Sequence, residues 1–128
     1  WNFSGRSVIK KGRADGPALG GNLTLVAALL AGPWLPDFEG AVLFLEEVDE
    51  PAYRLDRLLT TVRHSPMWTR ARALVFGQFT RCGPPAEVNR LLREAAAGFA
   101  GPVLFNAPFG HESRNRFLPL GAMVAIEG

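Results

Sequence analysis

The sequence predicts an α/β fold in which strands alternate with helices around a mostly parallel sheet. Three observations carry this. Short continuous apolar runs bounded by turn residues recur at Ala41–Glu46 (AVLFLE), Ala73–Gly77 (ALVFG) and Pro102–Phe105 (PVLF), the pattern of strands buried on both faces. The segments between them repeat apolar residues at the helical spacing. With 128 residues, 48% of them hydrophobic, the chain is long enough for one domain with its own core. Strands that alternate with helices build βαβ units whose sheet is covered by helices.

Taken in order, Val8 and Ile9 are the strand candidates of the first segment, and Trp1 and Phe3 also read as packed structure. Lys11–Gly21 (KGRADGPALGG) is rich in glycine and reads as a loop. Asn22 can cap a helix running through Leu23, Leu25, Val26, Leu29 and Leu30, which Gly32, Pro33 and Pro36 end. Gly40 opens the AVLFLE strand, which stops at Glu46, Glu47, Asp49 and Glu50. Pro51 sits where a first helical turn needs no N–H, and Leu55, Leu58, Leu59 and Val62 form one apolar stripe up to Pro66. ALVFG is the next strand. Pro85–Phe99 is a helix with Val88, Leu91, Leu92 and Ala95 on one face. PVLF is followed by the loop NAPFGHESRNRF, and Leu118–Ile126 supplies a closing strand.

Composition removes several classes of function. A net charge of +2 is too small to steer the chain to nucleic acid or an anionic membrane, and the aromatic residues lack an interleaved basic strip. No apolar run reaches the roughly 18 residues of a membrane span. The single cysteine, Cys82, excludes an internal disulfide, and no histidine stands at a metal-site spacing from it. The chain begins at Trp1 and ends at Gly128, directly after an apolar run, which reads as a domain excised from a longer protein.

Ligands of open α/β sheets gather beyond the carboxyl ends of the strands. That rim receives Glu46 and Glu47 after one strand, Gly77-Gln78-Phe79 after the next, and Asn106–His111 after the last. A carboxylate beside an imidazole is the base half of a nucleophilic site: the acid orients the ring, and the ring moves the nucleophile's proton. Glu46 and His111 are the candidates. Neighbours in an extended chain point to opposite faces, so Glu46 and Glu47 cannot both meet His111. Gly20, Gly21 and Asn22 form a second candidate, a substrate-binding site at a helix start where free N–H groups attract a carboxylate. His64, near a helix end, is assigned no function.

Five runs in order, GGNL (Gly20–Leu23), LFLEEVDEPAYRLDRLL (Leu43–Leu59), FGQF (Phe76–Phe79), FGHE (Phe109–Glu112) and LPLGA (Leu118–Ala122), resemble the C-terminal domain of the serine LD-carboxypeptidases, or murein tetrapeptide carboxypeptidases. The resemblance spans nearly the whole chain and implies a swivelling β/β/α domain. It also implies a Ser–His–Glu triad that releases the terminal D-alanine of a peptidoglycan tetrapeptide by hydrolysis of an L,D peptide bond. Glu46 matches the family glutamate and His111 its histidine. The family serine and oxyanion hole belong to an N-terminal domain that this sequence does not contain. Ser4, Ser7, Ser65 and Ser113 match no nucleophile position, and Ser113 reads as a loop residue. The resemblance therefore implies a single domain over residues 1–128 that is inactive alone and completed by that N-terminal domain. The substrate would be a muropeptide recycled in the cytoplasm, with no metal or organic cofactor and with a homodimer left open. The alternatives are an immunity peptidase of the same family that degrades a peptide–nucleotide antibiotic, and a stand-alone binding module without catalysis.

Overall fold

The computed structural model describes residues 7–33 and 35–128. The expectations placed on Trp1 and Phe3 lie outside the described residues. Among the described residues ten elements follow one another: β1 (Ser7–Lys10), β2 (Arg13–Asn22), α1 (Leu23–Leu29), β3 (Val42–Val48), α2 (Ala52–Arg63), α3 (Pro66–Arg70), β4 (Ala73–Thr80), α4 (Pro85–Ala96), β5 (Val103–Phe105) and β6 (Met123–Glu127). The sheet order is β1-β5-β4-β3-β2-β6. The four central strands pair in parallel, and β1 and β6 close the two edges antiparallel. The mostly parallel α/β reading holds, with antiparallel edges added.

Strand alternation sorts the apolar residues into two cores. Leu43, Leu45, Leu74, Phe76 and Val103 point to the face covered by the helices, where they meet Leu55 and Leu59 of α2 and Leu91 and Leu92 of α4. Val42, Phe44, Val75 and Leu104 point the other way, against Ala14 and Ala18 of β2, Val124 and Ile126 of β6, and Phe109. Continuous apolar runs are what two buried faces require.

The sheet cannot be flat. Only Lys11 and Gly12 separate β1, at one edge, from β2, four positions across. In a flat sheet those strands would lie about 19 Å apart, whereas three extended residue steps reach about 11 Å. The sheet therefore curls until its ends meet. Backbone hydrogen bonds join Gly12 and Gly128 in both directions, at 3.0 and 3.2 Å. The curl makes three layers: helices, the parallel strands, and the ribbon of β6 with the first half of β2.

β2 corrects the loop expected at Lys11–Gly21. Its first half, Arg13–Pro17, pairs with β6, and its second half, Ala18–Asn22, pairs with β3. The glycines that suggest a loop are what allow a strand to pass between layers. A Cβ on Gly16 would lie 2.0 Å from the Gly40 carbonyl oxygen, and one on Gly20 would lie 1.9 Å from that of Phe44. Two further differences follow from local chemistry. Pro66 opens the short helix α3 besides bounding α2, and buries Met67 and Trp68, the latter edge-on to Phe99 at 5.2 Å. Leu118–Ala122 is a turn that hydrogen-bonds Ala18 in both directions before β6 begins. No described helix is long and apolar enough to cross a membrane.

Candidate active site

β3 continues through Glu46 and Glu47 to Val48, so both carboxylates lie in the strand and both are buried. A buried carboxylate must be hydrogen-bonded to be tolerated. The strand's alternation gives the two neighbours different partners. Glu47 faces α1: its Oε2 accepts the Thr24 N–H at 2.8 Å and the Thr24 hydroxyl at 2.7 Å, and its Oε1 accepts Asn22 Nδ2 at 2.5 Å and the Val48 N–H at 2.9 Å. Helix α1 has no acidic residue in its own first turn, so Glu47 supplies the negative charge that its N-terminus favours.

Glu46 faces the opposite side, where the loop after β5 delivers His111. Asn106 starts that loop in the left-handed region, at φ 57°. Phe109 is buried edge-on to Phe44, with ring centroids 5.5 Å apart, which anchors the loop in the inner core. Gly110, at φ 132°, turns the chain directly against Glu46: a Cβ there would be 3.2 Å from Glu46 Oε2. His111 Nδ1 then donates to Glu46 Oε2 at 2.8 Å. Glu46 is 8% exposed and His111 50%, so the acid is shielded while the ring reaches out. With the proton on Nδ1 committed to Glu46, Nε2 carries the lone pair and can accept a proton.

β4 contributes the seat of this loop. The register advances from Leu45–Phe76 to Glu47–Phe79, so β4 carries one extra residue opposite Glu46. Bulges of this kind re-aim a strand beside functional sites. The bulged Gln78 donates its N–H to the Phe109 carbonyl at 2.9 Å, and the Ala107 N–H donates to the Phe76 carbonyl at 3.1 Å. Gly77 has no room for a side chain, because a Cβ would lie 2.6 Å from the Phe109 oxygen. On the far side of the loop, Asn115 Nδ2 donates to the Gly110 carbonyl at 2.6 Å and the Arg116 N–H to that of Pro108 at 2.7 Å. His111 thus stands on a loop tied down on both sides.

The expected pair, Glu46 and His111, is brought together. Of the second candidate, Gly21 lines a cavity of about 380 Å³ together with Glu46 and Gly110. Gly20 packs against Phe44, and Asn22 caps α1 through Oδ1 while Nδ2 holds Glu47. Sequence reasoning set Gln78 on the rim but missed its bulge, and it missed the helix-holding role of Glu47. The available signals were a glycine–glutamine step inside an otherwise apolar strand, and a capped helix lacking an acid of its own. Ser7 lies in β1, Ser65 is buried and donates to the Val62 carbonyl, and Ser113 is exposed in the loop. Among the described residues no serine hydrogen-bonds His111. Burial pushes the Cys82 thiol up from its ordinary pKa, which keeps it protonated and unreactive.

A shielded acid holding a half-exposed imidazole, on the rim of a curled three-layer sheet, is a His–acid pair of the kind that Ser–His–Glu sites use. The chain belongs to the LD-carboxypeptidase family, as its C-terminal domain: the family model of that description matches residues 15–126. It is similar to the murein tetrapeptide carboxypeptidase of Pseudomonas aeruginosa, at 38% identity over 125 residues, covering 92% of this chain and 40% of that protein. The crystal structure of muramoyltetrapeptide carboxypeptidase from Oxalobacter formigenes matches with a TM-score of 0.83 and 30% identity, over 92% of this chain and 42% of that one. The microcin C7 self-immunity protein of Escherichia coli matches at 26% identity over 120 residues, covering 91% of this chain and 35% of that protein. The chain spans about two fifths of the length of the curated relatives it matches.

Proposed function

We propose that the full-length protein is a serine LD-carboxypeptidase that releases the terminal D-alanine of murein tetrapeptides in the cytoplasm, and that this domain supplies its base. A serine from another domain attacks the carbonyl of the L,D peptide bond while His111 Nε2 takes its proton. Glu46 holds the ring and stabilises the imidazolium. As the tetrahedral intermediate collapses, His111 returns that proton to the amine of D-alanine, which leaves. Water then repeats the sequence on the acyl-enzyme: His111 takes its proton, the carboxylate product forms, and the serine is regenerated. Gly20, Gly21 and Asn22 complete the substrate side, with Gly21 bordering the cavity beside Glu46 and the other two holding that wall in place. No metal or organic cofactor takes part in this sequence of steps.

The observation that carries the reading is the 2.8 Å contact from His111 Nδ1 to a shielded Glu46. The test is D-alanine release from a murein tetrapeptide by the full-length protein, by its Glu46→Gln and Glu47→Gln forms, and by this 128-residue chain alone. Turnover should collapse with Glu46→Gln, survive in whatever Glu47→Gln protein remains folded, and be absent for the isolated chain. Turnover by the chain alone, or preferential cleavage of a peptidyl-nucleotide, overturns it.

A further inference from the structure

Release of a terminal residue requires that a free carboxylate be recognised. The start of α1, where the sequence points first, is already taken. The Thr24 N–H and hydroxyl donate to Glu47 Oε2, and Asn22 donates its Nδ2 to Glu47 while its Oδ1 accepts the Leu25 N–H. The protein's own carboxylate occupies those donors, so a substrate carboxylate must find its counter-charge elsewhere.

The carboxyl carbon of a terminal residue is two bonds from the nitrogen that leaves. Its partner must therefore border the same cavity as the proton carrier. Phe109, Gly110, Asn115, Arg116 and Leu118 line the cavity of about 380 Å³ beside Glu46, and Arg116 is the only cation among the described residues of that lining. Glu46, its only acid, is committed to His111. Glu112 lies elsewhere, with Arg81 on the wall of a different cavity. A cavity of about 440 Å³ shares Asn115 and Arg116 and adds Arg114, with no acid among its described lining residues. Positive charge around Arg116 is thus uncompensated, and an anion is the ligand it attracts.

The arginine is also held ready. Arg54, Arg70, Arg81 and Arg90 each form an ion pair with an acid. The Arg116 guanidinium has neither an ion-pair nor a hydrogen-bond partner among the described residues, which leaves all its N–H donors available. Its backbone is fixed instead. The Arg116 N–H donates to the Pro108 carbonyl at 2.7 Å, and Asn115 Nδ2 donates to the Gly110 carbonyl at 2.6 Å. Both ties run to the turn that carries His111, so cation and base share one braced loop. A guanidinium offers a carboxylate two parallel N–H···O bonds, which set its orientation as well as its position. Phe109 and Leu118 add apolar surface suited to a methyl side chain.

We propose that Arg116 binds the C-terminal carboxylate of the peptide substrate and thereby restricts cleavage to the last residue. The inference rests on the proposed function for the position of the scissile bond.

The test compares two substrates of the full-length protein, a murein tetrapeptide and the same peptide with its terminal carboxylate amidated. The acid should be favoured in kcat/KM by about tenfold to hundredfold, the worth of a charge-assisted contact. Arg116→Gln should bring that preference close to one. Arg116→Lys, which keeps the charge but loses the fork, should retain part of it. A merely structural role would lower both substrates alike. Equal cleavage of acid and amide by the wild type, or an undiminished preference in Arg116→Gln, overturns the inference and leaves the proposed function standing. If the wild type releases D-alanine from neither peptide, the proposed function fails and binding decides. The isotopically labelled 128-residue chain is then titrated with N-acetyl-D-alanine and with N-acetyl-D-alaninamide, and backbone amide shifts are followed by NMR. Signals of Gly110, Asn115 and Arg116 that prefer the acid, and lose that preference in Arg116→Gln, sustain the site. No response there, equal responses to the two probes, or shifts centred on residues 23–25 at the start of α1 overturn it.

Discussion

Glu46 and Glu47 are adjacent, chemically identical and both buried, yet they face different worlds. Glu47 is saturated by four hydrogen bonds, all to backbone or to neutral side chains around the start of α1. Glu46 is met instead by a titratable ring that is half in solvent. A carboxylate whose acceptor capacity is filled by fixed donors holds structure together. One that is shielded but committed to a mobile proton carrier is suited to proton transfer. The strand's two-residue period is all that separates the two roles.

Substitutions should pull this contrast apart. The largest effect is expected on the Glu46 side: His111→Ala in the full-length protein should lower kcat by about 10⁴-fold or more, and Glu46→Gln by about 10²- to 10⁴-fold, with the unfolding midpoint nearly unmoved. The opposite profile is expected of Glu47→Ala. Loss of the buried carboxylate leaves the Thr24 and Asn22 donors unpaired, and urea unfolding of this chain should show a loss of about 3 kcal/mol. If Glu47→Ala proved as stable as the wild type, the assignment of structure to one acid and chemistry to the other would fail.

Gly77→Ala probes the connection between β4 and the His111 loop. Its Cβ would meet the Phe109 oxygen, so the loop must shift. The expected result is a loss of about 1–3 kcal/mol together with a disproportionate fall in kcat, since a displacement of about 1 Å can cost about 10²-fold. Asn22→Ala should cost about 1 kcal/mol through its lost cap and about as much again through the lost bond to Glu47. A raised KM at unchanged kcat would add a substrate contact to these structural duties, and an unchanged KM would limit Asn22 to them.

The smallest effect belongs to the Asp49–Arg81 pair, whose side chains are 61% and 66% exposed. The hydrogen bond from Arg81 holds the Asp49 carboxyl below its ordinary pKa. A depressed carboxylate pKa stabilises the fold above the ordinary aspartate range and loses that contribution as pH falls through the folded value. The stability difference between wild type and Asp49→Asn should therefore be small near neutrality, shrink with added salt, and vanish in strong acid.

Much of this was legible in the sequence for a physical reason. Runs such as AVLFL are buried on both faces, and burial leaves little freedom of residue choice. His111 was legible only through the resemblance of its FGHE run, because loop histidines are common and its partner Glu46 lies 65 residues away in the chain. β2 was not legible, because glycine and proline signal turns far more often than they signal a strand crossing between layers. Glu46 could be placed at the strand end, but the strand runs on to Val48, and a sequence does not announce that two carboxylates in succession will both find partners. The bulge at Gln78 was equally hidden, since a register shift involves two strands and neither reveals it alone.

β1 runs antiparallel to β5 and begins with Ser7 opposite Phe105, the last residue of that strand. The polypeptide thus enters this domain from the rim on which Asn106 opens the His111 loop. A nucleophile-bearing unit placed ahead of Ser7 in the chain would arrive on the working side of the molecule and would need no long tether to set a hydroxyl against the waiting imidazole.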